Sequence, residues 1–314
     1  WVLFSDTAIL LGISLALTPA FKMKFWNCGG EGQVMVGSLI AAMMMFFFGD
    51  KLPLPVLIAV SLVLSTLVGG LWGLIPAIFK AKWNTNETLF TLMMNYIATG
   101  LVSFFLMLWT PSGSSILGRL EHGHLPVVFH EYLLLIAVVL ISTVIMFIYL
   151  RHTKQGYEIA VVGESENTAR YIGIKVEKVI IRTMLISGAI CGLAGLLLVG
   201  GTNHTLNASI VDGRGFTAVM VSWLGKFNPI WMILTSFLLV FLSRGAGEIA
   251  TDFGLNASFG DILTVTFTGQ EETAVLRGAA KFRDSLIPWL RQLPDGEQFM
   301  LLGPAPCPVP KINY

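Results

Sequence analysis

A chain of 314 residues with 54% hydrophobic and only 12% charged residues cannot clothe a soluble domain of its size, which takes about 25% charged residues. Its mean hydropathy of +0.74 puts it in the membrane class, and a formal net charge of +1 gives no basis for a nucleic-acid or acidic partner. Cys28, Cys191 and Cys307 lie far apart without a CxxC pair, and the first two read as small apolar packing residues.

A helix crosses the hydrocarbon with about 20 apolar residues, because no water is there to satisfy its backbone. Taken in chain order, the first span is 2–19. No Met opens the sequence, which is therefore expected to lack its natural N-terminus, so this stretch is not read as a signal peptide. Asn27, Glu31 and Gln33 follow in a glycine-rich break before a short apolar run, 33–48, which has the length of a partly re-entrant segment. Polar groups in such a break either lie in an interfacial loop or line a transporter cavity.

Spans 54–79 and 88–110 come next. Asn84 reads as the N-cap of the second, with Glu87 in a capping-box position. Glu87, Thr91 and Asn95 are spaced i, i+4, i+8 and share a face. Polar groups at such depth must face the bundle or a wet cavity, so Asn95 either lines a pathway or bonds another helix. An outer loop then carries His122, His124 and His130; with no cysteine or carboxylate set beside them, no metal site is assigned. Spans 131–150 and 179–200 follow, and then a broken pair, 216–225 and 230–243, interrupted at Pro229. Gly69 with Gly73, and Gly188 with Gly192, have the small-residue spacing that lets helices approach closely in lipid.

Orientation follows from the loops. Lys22, Lys24, Lys80, Lys82, Arg151, Lys154, Arg170, Lys175 and Lys178 lie in one alternating set, against Lys51, Arg119 and Arg214 in the other: nine to three, which makes the first set cytoplasmic. That set includes 152–178, a polar pause between apolar runs. Within it Ser165 reads as an N-cap and Gly173 as a stop, bracketing a helix over 166–172 that is too short to stand alone in water. It is either a solvated linker with a turn of helix or an element that packs on the bundle or a second protein.

The wording of that pause, "GYEIAVVGESENTARYIGI", resembles the cytoplasmic coupling segment of bacterial ABC-transporter permeases of the sugar, nucleoside and branched-chain amino acid group. "LISGAICGLAGLLLVGG" and "GRGFTAVMVSWLGKFNPIWMILTSFLL" continue the likeness, which spans about residues 15–262. "NCGGEGQVMVGSLIAA" and "NETLFTLMMNYIA" resemble the subgroup for nucleosides or simple sugars. Ser165 stands where the family usually has Asn, and Thr168 where it usually has Ala.

The resemblance implies an all-α, polytopic membrane bundle with broken or re-entrant helices and a cytoplasmic coupling helix. It implies an importer of nucleosides or simple sugars in the bacterial inner membrane, with an ATPase subunit, a second permease subunit and an extracytoplasmic solute-binding protein as partners. Gly163, Glu164, Ser165, Ala169, Arg170, Tyr171, Ile172 and Gly173 would dock on the ATPase. In that docking Ala169 would allow close approach, Tyr171 and Ile172 would offer apolar area, and Arg170 a rim charge. Asn27, Glu31, Gln33 and Asn95 would belong to the substrate pathway. ATP and its magnesium would sit on the partner, since no G-x-x-x-x-G-K-[ST] stretch occurs here, and no catalytic residues are expected. The alternative is an ion-coupled secondary transporter, but no carboxylate lies in the middle of a span; an intramembrane enzyme lacks a Ser/His, paired-Asp or HExxH arrangement.

The permease domain is expected over 1–267. Residues 268–314 hold 10 of the 39 Asp, Glu, Lys and Arg residues and six of the 13 prolines, a change of composition with no use in a permease. Val275, Ala279, Phe282, Leu286 and Leu290 form an amphipathic stripe there. "FMLLGPAPCPVPKINY" resembles the C-terminal end of the primosomal replication helicase, so this tail is expected to be a fused or misassembled segment.

Overall fold

The computed structural model describes residues 1–110, 116–127 and 129–252, and among them it contains helices and loops but no strand. The helices are α1 (Val2–Lys22), α2 (Gly30–Phe48), α3 (Leu54–Trp83), α4 (Glu87–Trp109), α5 (Leu133–His152), α6 (Lys154–Glu164), α7 (Glu166–Tyr171), α8 (Val176–Leu198), α9 (Arg214–Leu224) and α10 (Pro229–Asp252). Seven of the described helices are long and apolar enough to cross a membrane: α1 to α5, α8 with the π-helical turn Val199–Asn203 that extends it, and α10. The eight expected spans thus map onto seven full-length helices and one short one, α9, which has 11 residues. The chain divides into two compact units, Trp1–Phe241 and Leu242–Tyr314. The second is described only to Asp252, so the expected boundary after 267, the amphipathic stripe and the helicase-like tail lie outside the described residues.

Within the first unit α1, α2 and α8 form the centre. The apolar window of α1 is 83% buried, whereas those of α3 and α5 are each 28% buried and turn an aliphatic face outward. An all-round buried helix needs no polar face, and in α1 Ser14 Oγ donates to Leu10 O at 2.7 Å and Thr18 Oγ1 to Ser14 O at 2.8 Å, with Met232 Sδ of α10 also within 3.3 Å of the Thr18 hydroxyl. The glycine spacings pair with each other, as small residues do where no hydrophobic drive separates helix from lipid. A Cβ on Gly69 of α3 would stand 2.7 Å from the Cα of Gly192 on α8, and one on Gly73 would stand 3.2 Å from that of Gly188. Gly37 of α2 closes on the same point, where a Cβ would be 2.6 Å from the Cα of Gly192. Three backbones meet there, and a side chain at any of them would separate the helices.

Two boundaries differ from expectation. Asn84 does not cap α4: α3 runs on through its lysine pair to Trp83, and Asn84 ends it in the left-handed conformation (φ 49°). Asn86 takes the N-cap instead, its side chain accepting from Leu89 N at 3.2 Å, and Glu87 turns to Lys80 at 2.9 Å. The cytoplasmic pause holds two helices rather than one. Thr153 caps α6, its hydroxyl accepting from Gly156 N at 3.1 Å, and Ile159 and Val162 bury its inner face.

Candidate functional site

The four residues read as pathway candidates converge around the start of α2, but their polar atoms are engaged by the protein itself. The turn after α1 keeps Phe25 buried, with Phe25 N donating to Ala20 O at 3.0 Å, and leads into the break at Asn27–Gly29. Asn27 is wholly buried there. Its Nδ2 donates to Ser187 Oγ of α8 at 3.2 Å and to Gln33 Oε1 at 3.4 Å, while its Oδ1 accepts from Gly29 N at 3.1 Å and Gln33 Nε2 at 3.2 Å. Asn95 reaches in from α4: its Nδ2 donates to Cys28 O and its Oδ1 accepts from Gly32 N, both at 2.9 Å. The break therefore exposes backbone groups that a helix would have paired internally, and Asn27 and Asn95 satisfy them. Thr91, one turn before Asn95, is buried on the same face, as the i, i+4 spacing requires.

Glu31 projects the other way, to the start of α9. Its Oε2 accepts from Gly215 N at 2.7 Å and its Oε1 from Gly213 N at 2.9 Å, so a carboxylate of α2 closes the open N-terminus of a short helix far along the chain. Gly213 is left-handed (φ 72°) and Gly215 lies so close that a Cβ would be 2.7 Å from the Cα of Glu31. Arg214, between them, turns to Asp6 of α1 at 3.0 Å. α9 then runs alongside α1, where Ser222 Oγ donates to Ser14 O at 3.1 Å. The partners Asp6, Ser187 and the 213–215 backbone left no local spacing to read, because each is more than 150 residues from the group it meets.

At the other site α7 ends at Tyr171, one residue short of expectation, with Gly173 left-handed (φ 86°). Ser165 Oγ accepts from Thr168 N at 3.3 Å, so the cap read from the sequence is made although the serine replaces the family's Asn. Ala169 is fully buried against its own chain, with Ala169 O accepting from Ile174 N at 2.9 Å. A six-residue helix needs a face to rest on, and its smallest residue provides it. Tyr171 and Ile172 are 93% and 51% exposed. Arg170 pairs with Glu177 of α8 at 3.3 Å, so it is not a free rim charge. Behind α7, Glu158 of α6 meets Arg182 of α8 at 2.9 Å, and Gly163 lies against the Lys22 carbonyl of α1, where a Cβ would clash.

The outer loop histidines divide. His130 stacks on Trp1, whereas His124 Nδ1 lies 2.7 Å from Nδ1 of His204, whose Nε2 is 3.5 Å from Glu131. Burial, and then the neighbouring His124, hold the His204 imidazole below its ordinary pKa against the opposing pull of Glu131. His204 was not singled out in the sequence; it stands alone there and only the fold brings it to His124.

Comparison with known proteins follows the same lines. Residues 2–265 match the family model of branched-chain amino acid transport system permease components. The guanosine ABC transporter permease protein NupP of Bacillus subtilis is 31% identical over 81% of this chain and 75% of its own length. The nucleoside ABC transporter permease protein NupB of Lactococcus lactis is 27% identical (77% and 71%), and the glucose ABC transporter permease protein TsgB13 of Haloferax volcanii 24% (81% and 70%). No solved structure matches the chain significantly. With its seven candidate spans and a family match over most of its length, the chain belongs to the ABC-transporter permease components of the branched-chain amino acid transport family, multi-pass proteins of the plasma membrane without ATPase activity of their own.

Proposed function

We propose that this chain is the membrane subunit of an importer for nucleosides or simple sugars in a bacterial inner membrane, driven by an ATPase on another chain. The observation that carries the reading is α7: a short, side-chain-capped helix on the lysine- and arginine-rich side, presenting exposed Tyr171 and Ile172. In this reading Tyr171 and Ile172 enter the ATPase, with Gly163, Glu164, Ser165 and Gly173 shaping the segment. ATP and magnesium stay on that partner. Movement of α7 reaches the bundle through the adjoining α6, whose Glu158 is held to Arg182 of α8 and whose Gly163 packs on the end of α1, with the exposed Arg170–Glu177 pair adding a looser tie. A second permease subunit completes the pathway, and a solute-binding protein outside delivers the substrate. The substrate class is supported by the guanosine, nucleoside and glucose permeases among the relatives.

Asn27, Glu31, Gln33 and Asn95 serve the pathway by holding its walls. They fix a broken stretch and the start of a half-length helix, α9, at membrane depth, where irregular backbone is tolerated only when protein satisfies it. The test is co-purification with an ATPase subunit combined with uptake. Tyr171→Ala with Ile172→Ala leaves membrane abundance unchanged and weakens ATPase binding by about 2–4 kcal/mol, the range of interface anchors, so ATP-driven uptake is lost. Normal uptake by that variant overturns the docking role of α7. Uptake of glucose and nucleosides by the wild-type assembly is measured in parallel, and transport of neither sinks the substrate class.

A further inference from the structure

A cavity of ≈ 450 Å³ opens at the ends of α1, α5 and α6 and the turn between α9 and α10, and its charged lining is all of one sign: Lys22, Arg151 and Lys226, without a carboxylate. Its walls are apolar and aromatic, from Phe147, Leu150 and Phe227. Three features give it a shape rather than a mere share of loop charge. Arg151 lies over the Phe147 ring, 5.6 Å from its centroid. Lys226 and Phe227 both hold the left-handed backbone conformation (φ 50° and 57°), uncommon for non-glycine residues, which folds the turn tightly between the two helices. None of the three cations has an ion-pair partner among the described residues.

Its surroundings identify the ligand class. On α5, Ile141, Val144 and Ile148 are 60%, 59% and 49% exposed and lead at helical spacing to Arg151, so one outward-facing apolar stripe ends on a cation. On α10, whose first residue Pro229 lines the cavity, Ile230, Trp231 and Leu234 just beyond it are 56%, 60% and 59% exposed, an apolar strip with a ring of the kind that anchors at membrane interfaces. A soluble anion has no use for these aliphatic strips, whereas an acidic phospholipid has chains to lay on them and a phosphate for the cations. We propose that this cavity binds the headgroup of an anionic phospholipid of the cytoplasmic leaflet, with its acyl chains on the exposed faces of α5 and α10. Bound there, the lipid would fasten the α9–α10 turn to the ends of α1 and α5.

The test uses the full chain purified in neutral detergent and titrated with phosphatidylglycerol, phosphatidylcholine or inorganic phosphate, read by thermal unfolding and by lipid adducts in native mass spectrometry. Phosphatidylglycerol should raise the unfolding temperature and remain bound, while the other two do neither. Each of Lys22→Gln, Arg151→Gln and Lys226→Gln should weaken retention about fivefold, the effect of about 1 kcal/mol per basic residue at an anionic surface. Lys24→Gln, a cation of the same loop outside the cavity, should leave it unchanged. Lys226 is exposed, so its substitution spares the fold and decides the matter even where Lys22→Gln fails to assemble. Retention undiminished in Lys226→Gln and Arg151→Gln overturns the site. An equal rise with inorganic phosphate overturns the lipid assignment in favour of a soluble anion, and a rise only when an ATPase subunit is present assigns the cations to that protein's surface.

Discussion

Asn95 shows what a polar side chain does at this depth. Replacing it with leucine removes the partners of Cys28 O and Gly32 N at once, and each buried backbone group left unpaired costs about 1–3 kcal/mol. Asn95→Leu is therefore expected to lower the unfolding temperature of the purified protein as well as uptake; lost uptake with unchanged thermal stability would instead assign it to solute contact. Glu31→Gln keeps the shape but replaces one of the two accepting oxygens with a donor facing a backbone N–H. The loss is about 2 kcal/mol, the weight of a hydrogen bond to a charged group, and limited proteolysis should locate the loosening near Gly213–Gly215. His204 gives a pH dependence. Its folded pKa is lowered, so the unfolded chain binds more protons as the medium acidifies. Stability is complete above about pH 6.5, the ordinary imidazole value, and falls below it. Thermal unfolding between pH 8 and 5 should show a smaller decline in His204→Gln than in wild type.

At the scale of elements, the closeness of α2, α3 and α8 is a matter of missing side chains. Gly192→Leu forces three backbones apart and should cost at least about 3 kcal/mol, enough to lose the monodisperse protein on size exclusion. Gly100→Ala on α4, where a Cβ would meet nothing within 4 Å, should change stability by less than about 1 kcal/mol. Similar behaviour of the two would mean that the shared glycine contact does not hold these helices. The same contrast explains what was legible at this scale. The 69/73 and 188/192 spacings announced close packing, since a small residue every four positions makes a smooth face. They did not announce Gly37 as the third member, because its spacing with Ala41 pairs a glycine with an alanine, a pattern that does not say which helix it meets. The burial of Ala169 was hidden for a related reason: a small residue on a capped helix permits approach from either side, and the sequence does not say which side the bundle occupies.

For the whole molecule, the distribution of Lys and Arg predicts the way it lies in the membrane. With Cys28, Cys191 and Cys307 replaced, Glu121→Cys should be labelled by an impermeant reagent in intact cells, and Lys175→Cys only after permeabilisation; the reverse pattern would turn the molecule over and remove α7 from the reach of the proposed ATPase partner. The order and approximate bounds of the long helices and the short capped helix in the polar pause were legible in the sequence itself, and the Lys and Arg distribution sets the expected orientation. Each depends on local physics: a run long enough to satisfy its backbone in hydrocarbon, charges that stay on one face, and a serine three residues before the amide it caps. Only the tertiary structure decided what the polar residues in the bundle do. Glu31 was within reach of a pathway or a loop until α9 arrived with two open N–H groups, and Asn27 and Asn95 were ambiguous until the break between α1 and α2 presented its unpaired backbone. A buried hydrogen bond belongs to a pair, and here the partners stand up to 214 residues apart in the chain, beyond any periodicity a sequence can display.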